Sequence, residues 1–198
     1  MASASVNQTI GRDTYRMRTR EDILHEGERE AQRRFRVENA WPDFVLNDMI
    51  GEQLRPGMGR FMEAQRFFFI ATANGEGHCD CSFRATERGI DGKQQPLVKV
   101  LTDTRLVFPD YSGNNLYNSI GNILTNAHIG MLFIDFERAM RLRVNGRATL
   151  IENRKDFSDV WSTALRYILV DIHQAYGNCQ QRIPLMRFIN GNNREEEW

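Results

Sequence analysis

Several residues of this chain are of a type and spacing to hold an anion. Ser82 and Arg84 stand two apart in the alternating run His78-Cys-Asp-Cys-Ser-Phe-Arg84, so on a strand both side chains fall on one face and can meet one ligand. Lys99 interrupts the apolar run Leu97-Val-Lys-Val-Leu101, and Arg143 and Arg147 share the polar face of residues 140–151. The densest signal is a strand, a turn and a helix start. Arg105-Leu-Val-Phe-Pro109 runs into Asp-Tyr-Ser-Gly-Asn-Asn115, and Leu-Tyr-Asn-Ser-Ile120 follows. Gly113 permits a positive φ, and Asn114 or Asn115 can cap the helix while offering amide donors. The helix start itself carries unpaired N–H groups and about half a positive charge. Together these features point to a bound phosphorylated cofactor. Each has a plainer reading too: a capped helix, a surface ion pair of Arg84 with Asp80, and a lysine turned to solvent on an edge strand.

Other chemistries find less support. Cys79, Cys81 and Cys179 are an odd set, which argues against a disulfide framework. Cys79-Asp-Cys81 lacks the second cluster of a structural zinc site and reads as small side chains on one strand face, so no metal is expected. His78, His128 and His173 have no Ser or Cys partner at a readable spacing, and no catalytic residue is assigned. Phosphate-loop and dinucleotide glycine patterns are absent.

The elements that must position these residues follow from periodicity. The chain has 198 residues, 41% of them hydrophobic, enough for one full core. Its 26 basic and 26 acidic residues balance, so nothing draws it to nucleic acid or a membrane surface. No apolar run approaches the roughly 20 residues of a membrane span, and the first residues lack the apolar core of a secretory signal, so a cytoplasmic protein is expected. Residues 1–18 read as a flexible tail and 19–65 as a helical extension packed on the main domain. In that extension Thr19 and Asp22 form a weak capping box, Trp41-Pro42 makes a break, and helices cover Phe44–Gln53 and Gly57–Ala64. From residue 66 the period changes to two. Strands are expected at 67–72, 78–84, 97–101, 105–108, 129–136, 140–151 and 168–173, with helices at 114–125 and 156–167 and a polar tail over 189–198. Many short antiparallel strands with one inserted helix suggest a small barrel.

The segments Phe67–Arg84, Leu97–Leu101, Phe108–Asn115, Ser119–Ile123, Ile129–Phe136 and Leu142–Ala148 resemble flavin-binding split-barrel proteins related to pyridoxamine 5′-phosphate oxidase. The resemblance extends more loosely over 175–184. It implies a mainly β protein, a six-stranded antiparallel split barrel that forms a homodimer and holds FMN at the subunit interface. It places Ser82 and Arg84 near the phosphate and ribityl chain, and Val98, Lys99 and Val100 along the isoalloxazine ring. Asn114, Asn115 and Ser119 complete the phosphate cradle, and Arg143 and Arg182 join the cofactor-binding set. The implied activity is hydride transfer with a small-molecule substrate, NADH or NADPH among the candidates. The alternatives are a non-catalytic flavin or haem carrier and a deazaflavin-dependent reductase. Two departures argue against vitamin B6 oxidation itself. Asn114-Asn115 stand where the oxidase has Arg-Lys, and Asn192-Asn-Arg-Glu-Glu-Glu-Trp198 does not match the oxidase's basic, tryptophan-bearing tail.

Overall fold

The computed structural model describes residues 17–177 and 181–189. The expectations for residues 1–16, Cys179 and residues 190–198 lie outside the described residues. The chain divides into two compact units at Asp48/Met49.

The first unit carries helices α1 (Arg20–Ile23), α2 (Glu26–Arg34) and most of α3 (Asp43–Met49). The expected box is present: the Asp22 carboxylate accepts the Thr19 N–H at 2.8 Å. The helix stops after one turn because Leu24 is extended, and His25 starts the next. The His25 Nδ1 accepts from the Gly27 N–H at 3.1 Å, and Glu28 returns a carboxylate to the His25 N–H at 3.0 Å. A histidine thus fills a capping role normally given to Ser, Thr or Asp. Helix α3 ends at Met49, short of the expected Gln53.

The second unit opens with α4 (Met58–Glu63) and continues through β1 (Phe67–Ala73), β2 (Cys79–Ala85), β3 (Lys99–Thr102) and β4 (Arg105–Asp110). After these come α5 (Asn118–Thr125), β5 (His128–Asp135), β6 (Met140–Ile151) and β7 (Arg166–Gly177). All seven strands join one antiparallel sheet in the order β2-β1-β5-β6-β7-β4-β3. The strand count is therefore seven, against the six the resemblance implies.

The sheet curls until its two halves touch. Phe68 of β1 stacks on Phe133 of β5 at 4.9 Å and meets Phe108 of β4 edge-on at 5.2 Å, although β1 and β4 are not hydrogen-bonded neighbours. Around this contact Ile70, Leu106, Met131, Val144, Ile168 and Val170 are buried, and each large side chain removed from water contributes about 1.5–3 kcal/mol. The architecture is a split β-barrel whose ends, β2 and β3, do not pair.

The expected helix at 156–167 is absent. Residues 154–160 form successive turns, and Tyr167 already belongs to β7. The stretch is rich in Ser, Asp and Thr, which compete with a helix for backbone groups, and its large residues find tertiary partners instead. The Trp161 indole donates to the Pro96 carbonyl at 2.7 Å and the Tyr167 hydroxyl to the Arg154 carbonyl at 2.8 Å. With Val107 and Ala164 these rings make a second core cluster.

Strand β7 runs twice the expected length, and one irregularity shapes it. Asn145 pairs with Gln174 and Gly146 with Ile172, so His173 is an extra residue, a β-bulge. Gly146 is required there, since a Cβ at that position would lie 2.1 Å from the Asp171 carbonyl oxygen and 3.1 Å from Val170. Among the described residues no helix is long and apolar enough to cross a membrane. Gly146→Ala is expected to destabilise the protein by about 1–3 kcal/mol through overpacking, read as a lowered urea midpoint at unchanged slope.

Candidate anion-binding site

The half-buried face of β2 carries Asp80, Ser82 and Arg84; Cys79, Cys81 and Phe83 form its exposed face. This reverses the simple expectation that polar side chains point to water. The β2 edge of the sheet lies against the end of β4 and the start of α5, and the inward polar groups meet both.

Arg84 donates from Nη1 to Asp110 Oδ1 at 3.0 Å. Arg166, at the start of β7, brings its Nε to 3.0 Å from the second carboxylate oxygen. The Asp110 side chain is only 7% exposed, and the two guanidiniums are 22% and 21% exposed. The Arg84 Nε is nevertheless buried without a hydrogen-bond acceptor among the described residues, whereas the Arg166 Nε faces the carboxylate. Arg166 also donates to the Tyr117 hydroxyl at 3.4 Å, with its guanidinium 5.0 Å over that ring. This hydrogen bond, ahead of the Asp110 charge and against the effect of burial, holds Arg166 above its already high ordinary pKa.

The turn after β4 differs from its expected form. Gly113 does not take a positive φ; Asn115 and Tyr117 do, at 62° and 56°. These left-handed residues delay the helix, so α5 begins at Asn118 and not at 114. Neither asparagine caps it. The Asn114 side-chain oxygen accepts from the Leu116 N–H at 3.1 Å, and the N-cap is Tyr117, which makes no side-chain cap bond. The first N–H groups of α5 are therefore left for another acceptor.

A cavity of about 230 Å³ opens between these elements. Asp80, Ser82, Arg84, Asp110, Arg166 and the segment 113–120 except Leu116 line it. Of the ten residues expected to bind a cofactor, it gathers Ser82, Arg84, Asn114, Asn115 and Ser119. The other five lie elsewhere. Val98 is fully buried in the core, Lys99 is exposed on end strand β3, and the Val100 N–H is held by Glu63 Oε1 at 2.9 Å. Arg143 lines a depression with Gly130 and Tyr176, and Arg182 is exposed beyond β7. Sequence reasoning assigned no role to Asp110, Tyr117 or Arg166. Asp110 carried a signal as the acidic residue closing an apolar strand; Arg166 carried none, since it fell inside the expected helix.

These elements define the chain as a split β-barrel with arginines, hydroxyls and an uncapped helix start lining a cavity at its seam. The chain belongs to the pyridoxamine 5′-phosphate oxidase family, whose model matches residues 54–189. No curated protein sequence matches it. Among solved structures it resembles HupZ of Group A Streptococcus, with 14% identity over 63% of this chain and 93% of that one and a TM-score of 0.47. An FMN-binding protein from Syntrophomonas wolfei gives 10% identity over 62% and 89%, with a TM-score of 0.41. HutZ, the heme storage protein of Vibrio cholerae, gives 12% over 61% and 89%, with 0.37.

Two outcomes test this geometry. Asp110→Ala strands two partly buried arginines. Breaking a buried pair costs about 3–5 kcal/mol, and the solvent still reaching the guanidiniums brings the expected loss to about 2–4 kcal/mol by thermal unfolding. At the cavity wall, burial first and then the Glu87 carboxylate push the Tyr111 phenol well above its ordinary value of 10.0. The unfolded chain releases that proton at lower pH than the folded one, so stability falls as pH rises through and above 10. Tyr111→Phe should flatten this fall in unfolding experiments between pH 9 and 11.

Proposed function

We propose that the protein is an FMN-dependent oxidoreductase acting on a small molecule by hydride transfer, with the cofactor phosphate in the seam cavity. The observation that carries this reading is the buried Arg84 Nε, which has no acceptor among the described residues, beside the uncapped start of α5. A phosphate offers oxygens to both, and a charge-assisted bond to a guanidinium contributes about 1.5–3 kcal/mol. The donor set therefore fits the group.

In this reading Arg84 and the first N–H groups of α5 hold the phosphate, and Ser82, Ser119, Asn114 and Asn115 supply neutral hydrogen bonds. Asp110 keeps both guanidiniums in position. The cavity is smaller than the roughly 300–1,000 Å³ that enclose a whole ligand, so it suits the phosphate end and leaves the ring to lie outside. A second copy of the chain, as the family resemblance implies for a homodimer, would cover it. Val98 to Val100 would contribute backbone groups to the ring, and Arg143 and Arg182 stand as contributors only through such a dimer. Bound flavin supplies the two-electron chemistry, while the protein orients it, shields it from water and tunes its surroundings.

The test is a fluorescence titration of the purified full chain with FMN, followed by steady-state oxidation of NADH and NADPH by the loaded protein. Saturable binding that Arg84→Ala weakens at least tenfold, with turnover well above free FMN, is the expected result. No FMN uptake sinks the proposal; binding without turnover on any nicotinamide cofactor makes the protein a carrier. A tighter affinity for a deazaflavin would replace FMN as the cofactor, and a monomer in sedimentation at micromolar concentration would remove the interfacial site.

A further inference from the structure

Two thiols on β2 take no part in the cavity or its seam. Cys79 and Cys81 are the free cysteines of the described residues, and both are exposed. They stand two apart on one strand, so both side chains leave the outward face while Asp80 between them turns to the cavity. Cysteine is ordinarily among the most buried side chains. Here the pair fills no core position, so packing does not account for it. β2 is also an end strand of the sheet, and its one neighbour gives little cover. In register, Cys79 faces Ala73 and Cys81 faces Ala71, and beyond Ala71 comes Gly130. A methyl group or a hydrogen at each of these places leaves the thiols standing above the sheet.

The spacing decides what the pair can do. At about 3.3 Å per residue the two Cβ atoms lie roughly 6.6 Å apart. A disulfide brings its Cβ atoms to about 3.5–4.5 Å, so the extended strand keeps these thiols from oxidising onto each other. One cation between the sulfurs is a different matter. With metal–thiolate bonds of about 2.3 Å, the value for zinc, opposed sulfurs lie roughly 4.6 Å apart. Each Sγ then leans only about 1 Å toward the other, which a rotation about Cα–Cβ supplies.

The number of ligands selects the ion. Among the described residues no three His, Cys, Asp or Glu side chains gather closely enough to hold a metal. Zinc, which takes four ligands in structural sites, is therefore not served. Univalent copper is soft, favours thiolates and is satisfied by two of them in opposition. Little stands in its way, because the Cys79 thiol donates only weakly, to the Gly77 carbonyl at 3.6 Å.

We infer that Cys79 and Cys81 form a binding site for one univalent copper ion, held between two thiolates on the outer face of β2. On binding, two S–H bonds break, two copper–sulfur bonds form, and two protons leave to solvent. The site is independent of the flavin reading, since it lies on the face opposite Ser82 and Arg84.

The test titrates Cu(I) anaerobically into the reduced full chain against a chromophoric Cu(I) chelator. Cys79→Ser, Cys81→Ser and Cys179→Ser are run alongside, each checked for an unchanged thermal melt. One copper per chain is expected, held at least tenfold more weakly by Cys79→Ser and by Cys81→Ser, and within twofold of wild type by Cys179→Ser. X-ray absorption should show two sulfur neighbours, and affinity should rise from about pH 6 to pH 8 as the thiols release their protons. No uptake by wild type overturns the inference, as does copper that survives the loss of Cys79 or Cys81 or that needs Cys179. If both serine variants fail to fold, the wild-type absorption spectrum decides: three or more ligands, or any nitrogen, overturns the site.

Discussion

One ionic contact holds the seam of this barrel. β2 and β4 are far apart in the order of the sheet, and no strand pairing joins them. What brings them together is the Asp110 carboxylate, gripped by Arg84 from β2 and by Arg166 from β7 at 3.0 Å each. The Phe68–Phe108 contact beneath closes the apolar interior over the same gap. Hydrophobic burial supplies the bulk of the free energy, but it is non-directional. The carboxylate fixes which side chains face one another, and with them the shape of the cavity.

That arrangement resolves an apparent conflict. A phosphate site ordinarily collects excess positive charge, and the cavity proposed as one is electrically balanced. The balance holds because the arginines have two tasks. Arg84 Nη1 and Arg166 Nε secure the seam through Asp110, while Arg84 Nε has no acceptor among the described residues and is the group the proposed phosphate would take. In the proposed site neutral donors would carry much of the recognition: the start of α5, freed by the left-handed Asn115 and Tyr117, and the serines and asparagines of the wall.

Much of the barrel was legible in the sequence. Apolar alternation at period two located the strands around residues 67–72, 78–84, 129–136 and 140–151 to within about two residues, because burial on one face imposes that pattern directly. Alternation in β2 brought out Ser82 and Arg84, the turn brought out Asn114 and Asn115, and the family resemblance added Ser119; the fold gathers all five in one cavity. What the pattern missed depends on distant partners. Trp161 and Tyr167 lie in a stretch of helix-like spacing, yet their hydrogen bonds go to Pro96 and Arg154, which local spacing does not reveal. Arg166 was lost for the same reason. His25 as a helix cap was unreadable, because imidazole is seldom given that task. The two faces of β2 were separated by its alternation, and the set with Ser82 and Arg84 is the one the seam draws inside.

The bulge at His173 has a consequence for how this chain can change. Before it, Ile168, Val170 and Ile172 are buried at even positions; after it Ala175 is buried at an odd one. The extra residue switches the parity of β7, and only that switch turns Ala175 toward Gly51, with which it exchanges two backbone hydrogen bonds at 3.1 and 2.8 Å. The number of residues in β7 is therefore as constrained as their identity. A one-residue deletion there would be read as a frameshift in three dimensions, reversing inside and outside for the strand's second half. Length variation among relatives should instead gather in the exposed turn at 90–94 between β2 and β3, where no such count is kept.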